Sequence, residues 1–175
     1  TLAVIDFVDQ TVCHFPETNA AGAYVDPDSG DVFWSEGATV WRRSPRVEDV
    51  PVYVNQLPPE IVGGRQVDGL ATHLTRSADG KALFINAKVG LAYIFGSLPL
   101  DGSPFQPWWR FDRHHNHAQF SPTDPDTALF AQEFHSDPIT GLRFPITNRL
   151  WLITRGDKPR PILREPRFVS HEWWD

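Results

Sequence analysis

Apolar residues along the chain come in short runs rather than long amphipathic stretches, as in AYV, VFW, TVW, ALFINA, LAYIF, TALFA and LWLI. Each run stops within a few residues at Gly, Pro, Asp or Asn. No window keeps an apolar period of about 3.6 residues over successive turns, so the pattern predicts an all-β chain of short strands punctuated by 16 prolines and 12 glycines.

Three of these runs resemble one another: AYVDPDSGDVFWSE at 23–36, HLTRSADGKALFINA at 73–87 and QFSPTDPDTALFAQE at 119–133. Each is a short strand, an Asp-rich or Gly-rich turn, and a strand ending on a phenylalanine. Aligning Phe33, Phe84 and Phe130 puts the units at intervals of roughly 50 residues, and a third strand follows each in ATVWRRS, GLAYIFGS and NRLWLITRG. A Pro-containing fourth run follows the third. Four antiparallel strands at this spacing are what a β-propeller blade requires, because each blade buries its faces only against its neighbours. A β-sandwich competes, since it also uses short strands, but it needs no repeat.

The pattern therefore places blades at about 20–56, 68–111 and 114–165, with RFVSHEWWD opening a further one. Three blades and a stub do not close a ring, which takes about 4 to 8. The remaining blades are thus expected partners of this chain. Alone, the unpaired blade face is expected to aggregate or to bind its missing half.

On this repeat the histidines of HHNHAQFSP fall at the start of the innermost strand of the third blade. The strand beginning and the end of its antiparallel neighbour share one end of the blade, which places His114, His115 and His117 beside Glu133 and His135. Strict alternation puts His115, His117 and Gln119 on one face, with His114 and Asn116 on the other. The same phase assigns His73 the slot of Gln119 one blade earlier, and His171 begins the next innermost strand. The connection EFHSDPITGLRFPITN at 133–148 is longer than its counterparts and brings His135, Asp137 and Arg143 to the same end. Long loops on a rigid scaffold are where binding residues concentrate. His73 taken alone reads as an ordinary strand residue, and Trp108–Trp109 and Trp173–Trp174 as blade packing.

The net charge of -6 argues against a nucleic-acid partner, although Arg143, Arg149, Arg155, Lys158, Arg160, Arg164 and Arg167 form a local basic stretch suited to an anionic substrate. The single Cys13 makes no intramolecular disulfide. No apolar run is long enough to span a bilayer, so no membrane partner is expected, and TLAVIDFVDQ lacks the basic start of a signal peptide.

Two chemistries fit the histidine face. Imidazole near its ordinary pKa serves as general base and then general acid. Imidazole also ligates divalent ions such as zinc or manganese, although the spacing of this His/Gln face matches no finger or zincin pattern. No organic cofactor is indicated. A serine or cysteine nucleophile lacks its motif.

The segment HNHAQFSPTDPDTALFAQEFHSDPITGLRFPITNRLWLITRG, followed by SHEWWD, resembles the propeller-type polysaccharide lyases, which include ulvan lyases and oligogalacturonate lyases. The HHNHAQF context and the His135 loop look closer to ulvan lyases. The resemblance implies a seven-bladed, secreted or periplasmic propeller that cleaves an acidic, uronate-containing polysaccharide by β-elimination. It implies His114, His117 and His135 as proton-transfer residues. His115, Asn116, Gln119, Arg143 and His73 are then substrate-binding residues. Because Tyr24, Tyr53 and Tyr93 fall outside the histidine cluster, the tyrosine of such a site is expected from later blades, with Arg143 a local substitute for its arginine. The oligogalacturonate branch adds a manganese-like ion held by His and Gln, a pattern that His117, Gln119 and His171 match in part; the resemblance thus implies one divalent ion such as Ca, Zn or Mn. A propeller that only binds acidic glycans or a protein partner is the reading from a different class.

Overall fold

The computed structural model describes residues 2–17, 19–137, 139–163, 169 and 172–174. A hairpin of β1 (Ala3–Asp6) and β2 (Thr11–His14) comes first, flanked by Leu2 and Phe15, which pack on Val32 and Trp34. Three four-stranded antiparallel sheets follow. The first holds β3 (Ala21–Val25), β4 (Val32–Glu36), β5 (Thr39–Arg43) and β6 (Val52–Gln56) in chain order. A one-turn helix α1 (Pro59–Val62) leads to the second, β7 (Val67–Gly69), β8 (Ala82–Val89), β9 (Ala92–Pro99) and β10 (Gln106–Phe111). The third starts with β11 (His115–Phe120) and β12 (Thr127–Gln132), breaks out into a small hairpin of β13 (His135–Ser136) and β14 (Arg143–Phe144), and resumes with β15 (Leu150–Thr154) and β16 (Arg160–Pro161). These are blades of a β-propeller, each strand pairing with the next, and the sandwich alternative is set aside.

Apolar alternation along the central strands fills both faces of the middle blade. Leu83, Ile85, Ala87 and Val89 face the first blade with Phe33, Val40 and Leu57. Phe84 and Phe95 face the third with Trp108, Phe120, Phe130 and Ile153. Phe84 lies edge-on to Phe95, Trp108 and Phe120 at centroid separations of 5.9, 5.1 and 5.0 Å. Such edge-to-face contacts add to the burial of the rings.

The structure corrects the alignment of the repeats by one residue in the third blade. Phe33 and Phe84 each face the following blade, whereas Phe130 faces the preceding one, as Trp34 and Ile85 do. The partner of Phe33 and Phe84 in the third blade is therefore Leu129. A one-residue slip in a strand exchanges its two faces, and the longer turn SPTDPD conceals that slip in the sequence.

A second correction concerns the innermost strands, none of which is regular. In the first blade the register jumps between Ala21 and Tyr24, opposite Trp34, with Gly22 at φ +61°. In the third it jumps between Asn116 and Gln119, opposite Phe130, with His117 at φ +53°. The second blade breaks further: β7 leaves the ladder after Gly69, and the chain rejoins it only where Arg76 pairs with Leu83. His73 lies in that break, so the slot of Gln119, opposite Leu129, is taken by Thr75, whose carbonyl accepts the N–H of Phe84 at 2.9 Å. The irregular segments hold one another across blades, Leu74 N–H donating to Gly22 O at 3.0 Å and His117 N–H to Thr72 Oγ1 at 3.2 Å.

Candidate functional site

The bulge in β11 cancels the expected alternation of its histidines. His115 turns into the interface with the second blade, 6% exposed, its ring 4.0 Å from that of Phe111 and near Phe130. Burial pulls its pKa down to about 4, with the hydrogen bond between its Nδ1 and Arg113 O at 2.8 Å opposing the shift. At neutral pH it is an uncharged packing residue that donates Nδ1–H to that carbonyl.

His117, two residues on, projects the other way. Its ring is 5.6 Å from that of His73, nearly perpendicular, and the ring of Trp173 lies 5.7 Å from that of His73. Its Nδ1 is 3.2 Å from Oε1 of Glu172, whose carboxylate is only 2% exposed; the two atoms are in ion-pair range but not in hydrogen-bond geometry, and Oε1 has no hydrogen-bond partner among the described residues. The other Glu172 oxygen takes Nη1 of Arg149, and Arg149 Nη2 donates to Glu133 Oε1 at 2.7 Å. Burial works against the charge of Arg149, but the two carboxylates outweigh it and raise its pKa.

His73, His117, Glu172 and Trp173 line an open pocket of about 370 Å³. Burial, and next the proximity of His117, lower the pKa of His73, so it is neutral at physiological pH. Its buried Nε2 has no hydrogen-bond partner among the described residues. A polar atom buried in this way is matched in native proteins by a partner, a water or a ligand.

The remaining expected residues separate into two groups. Gln119 is buried, its side-chain amide donating to Glu172 O at 3.2 Å while its backbone carbonyl accepts Trp174 Nε1–H at 3.3 Å. It therefore ties the 172–174 segment to β11. His114 and Asn116 face a neighbouring groove, and the expectation that Tyr93 lies outside the histidine cluster is overturned there. Tyr93 stacks on His114 with centroids 5.0 Å apart and planes at 24°. The backbone of His135 pairs with that of Phe144, and Arg143 is exposed on β14 opposite Ser136. The root of this hairpin is fastened to the site, since Glu133 N–H donates to His114 O at 2.9 Å and its carboxylate holds Arg149. The side chain of His135, and His171 altogether, lie outside the described residues.

Glu172, Arg149, Tyr93 and Thr72 carry no motif that marks them in the sequence. Glu172 had one signal, its place in SHEWWD next to His171. Among the described residues, no group of three His, Cys, Asp or Glu side chains is placed to hold a metal ion. Of the candidate ligands, His117 turns Nδ1 to a carboxylate and Gln119 donates its amide nitrogen to a backbone carbonyl, while His171 lies outside the described residues.

No family model matches the chain, and no curated protein matches it. Solved structures do. An oligogalacturonate lyase in complex with manganese superposes with a TM-score of 0.71 at 18% identity, covering 98% of this chain and 49% of the other. An oligogalacturonate lyase from Vibrio parahaemolyticus superposes with a TM-score of 0.71 at 12% identity, covering 93% of this chain and 46% of the other. The chain spans about half the length of these neighbours and shares with them the fold of a propeller-type lyase.

Proposed function

We propose that this chain carries part of the active site of a polysaccharide lyase that cleaves uronate-containing chains by β-elimination, with His117 as the proton-transfer residue. The observation that carries this reading is the His117–Glu172 pair on the wall of an open pocket that also holds His73 and the exposed ring of Trp173. A carboxylate at Nδ1 favours the tautomer with the proton on that nitrogen and leaves Nε2 with the lone pair of a general base.

In the reaction, Nε2 takes the proton from C5 of the uronate, the C4–O bond breaks as the C4=C5 bond forms, and a proton returns to the leaving oxygen. No water attacks, so paired carboxylates at glycosidase spacing are not needed. The proton on C5 becomes acidic when the uronate carboxylate is met by a cation or hydrogen-bond donors. Arg143 is assigned that role on the mouth hairpin. His135 is assigned as partner in proton transfer or in holding the uronate, and His114 is the second candidate for the proton carrier.

Both solved neighbours are oligogalacturonate lyases, which supports oligogalacturonate as the first substrate to test. The HHNHAQF context and the hairpin rooted beside His114 support ulvan as the second. The manganese of one neighbour supports a divalent ion in the whole protein, to be read by elemental analysis; no step above runs through it.

The test mixes full-length protein with each substrate and follows the ultraviolet absorbance of the new C=C bond conjugated to the carboxylate. A rise is expected with one of them, and His117→Ala should lower turnover by at least about 10²-fold. Silence on both substrates with binding retained sinks the lyase and leaves a non-catalytic glycan-binding propeller.

A further inference from the structure

Beside the His117 pocket lies a groove of about 250 Å³ built from two blades. Asp68, Thr72, Lys88 and Tyr93 come from the second blade, and His114 and Asn116 from the third. Thr72 joins the two concavities, since it lines the groove while its hydroxyl accepts the N–H of His117 at 3.2 Å. A chain of sugars bound at His117 therefore has this groove as its next neighbour.

The groove is furnished for an acidic, hydroxyl-rich ligand. Lys88 is 40% exposed and reaches Asp68 at 2.5 Å, a contact that engages one of the three donors of an ammonium. Burial raises the pKa of Tyr93, so its phenol remains a protonated donor, and stacking on His114 holds the ring in place. Asn116 has one amide atom 3.4 Å from His114 Nε2 and the other buried with no partner among the described residues. Turning the amide over only exchanges which atom is left unmatched. A buried amide atom without a partner is costly, and a ligand hydroxyl supplies what it lacks.

We propose that this groove is the adjoining sugar subsite: it takes the residue next to the one at His117, with the uronate carboxylate on Lys88 and hydroxyls on Asn116 and Tyr93. The inference rests on the lyase reading above. The bland reading of Lys88 is a cross-strand ion pair with Asp68, which would add little to stability and nothing to binding.

The test uses full-length protein and saturated oligouronides of increasing length, with Lys88→Met, Asn116→Ala and, as a charge control on an exposed site, Lys81→Met. On chains long enough to fill both sites, Lys88→Met and Asn116→Ala should each raise KM about tenfold, and Lys88→Met should leave kcat within about twofold and the shortest cleavable substrate processed as by the parent. Lys81→Met should change neither. Equal losses on short and long substrates, or none on either, would overturn the subsite. If the parent protein eliminates nothing, the lyase reading fails by itself. Calorimetric titration with the same oligouronides then decides the groove, which stands if Lys88→Met weakens binding about tenfold and falls if the affinity is unchanged.

Discussion

His115 and His117 are near neighbours in the chain with opposite fates, because a single left-handed residue in β11 turns one ring into the blade interface and the other into the pocket. His115 should make stability depend on pH. Its pKa falls from 6.5 in the unfolded chain to about 4 in the folded one, so the unfolded chain binds more protons between these values and stability is lost as pH falls through that window. The loss is at most about 3 kcal/mol. His73, also lowered, adds a change of the same sign. Denaturant titrations across this range should show the slope, and His115→Phe, which keeps a ring and removes the titration, should flatten it. At His117 a positive φ disfavours any side chain, and the first blade uses Gly22 at the matching bulge. His117→Gly is expected to raise stability above that of His117→Ala by about 1 kcal/mol. Both should lose turnover alike, which separates the strain of the bulge from the chemistry of the ring. A strained residue in a pocket is where function is sought.

At the level of elements, the bulges in the inner strands and the β13–β14 hairpin place the candidate residues. The first two blades connect their second and third strands through short turns at Gly37 and Gly90, whereas the third inserts a hairpin carrying exposed Phe134, Ile139, Leu142 and Phe144. Its root at Glu133 is bonded to His114 and Arg149, but its tip makes no part of the blade ladder. Replacing 135–147 by a short turn while retaining Glu133 and Arg149 should leave thermal unfolding within a few degrees of the parent, which corresponds to about 1 kcal/mol or less. Lyase turnover should fall by at least about 10²-fold if His135 and Arg143 act as assigned. Unchanged turnover would remove both residues from the site.

Across the molecule, stability runs from blade to blade through packed faces rather than through one central core. Phe84 is the joint of the second interface, touching Phe95 and Trp108 of its own blade and Phe120 of the next. Phe84→Ala should cost about 3–5 kcal/mol, the usual range for emptying a fully buried aromatic site, measured by denaturant unfolding of the full-length protein. Buried Asn55 ties the first interface by donating to Pro99 O at 2.8 Å and Ser103 O at 2.9 Å. The candidate site depends on these interfaces, because His73 comes from one blade and His117 from another.

Strand content, blade repeat and the end of the blade that holds the histidines were legible in the sequence, because period-two alternation and turn residues are local signals and the repeat displays them three times. The pairing of His115 with Gln132 and the bond from Glu133 to His114 bear out the antiparallel placement. Which histidine faces the pocket was not legible. Alternation predicts one face for His115 and His117, and only the bulge separates them, a backbone event that a histidine does not announce as a glycine does. Glu172, Arg149 and Tyr93 were missed for a related reason, since their proximity to His117 and His114 arises from the packing of blades and chain segments far apart in sequence. The sequence alone determined the architecture through short-range patterns, and tertiary structure decided the site, because contacts between blades are set by geometry that no local spacing records.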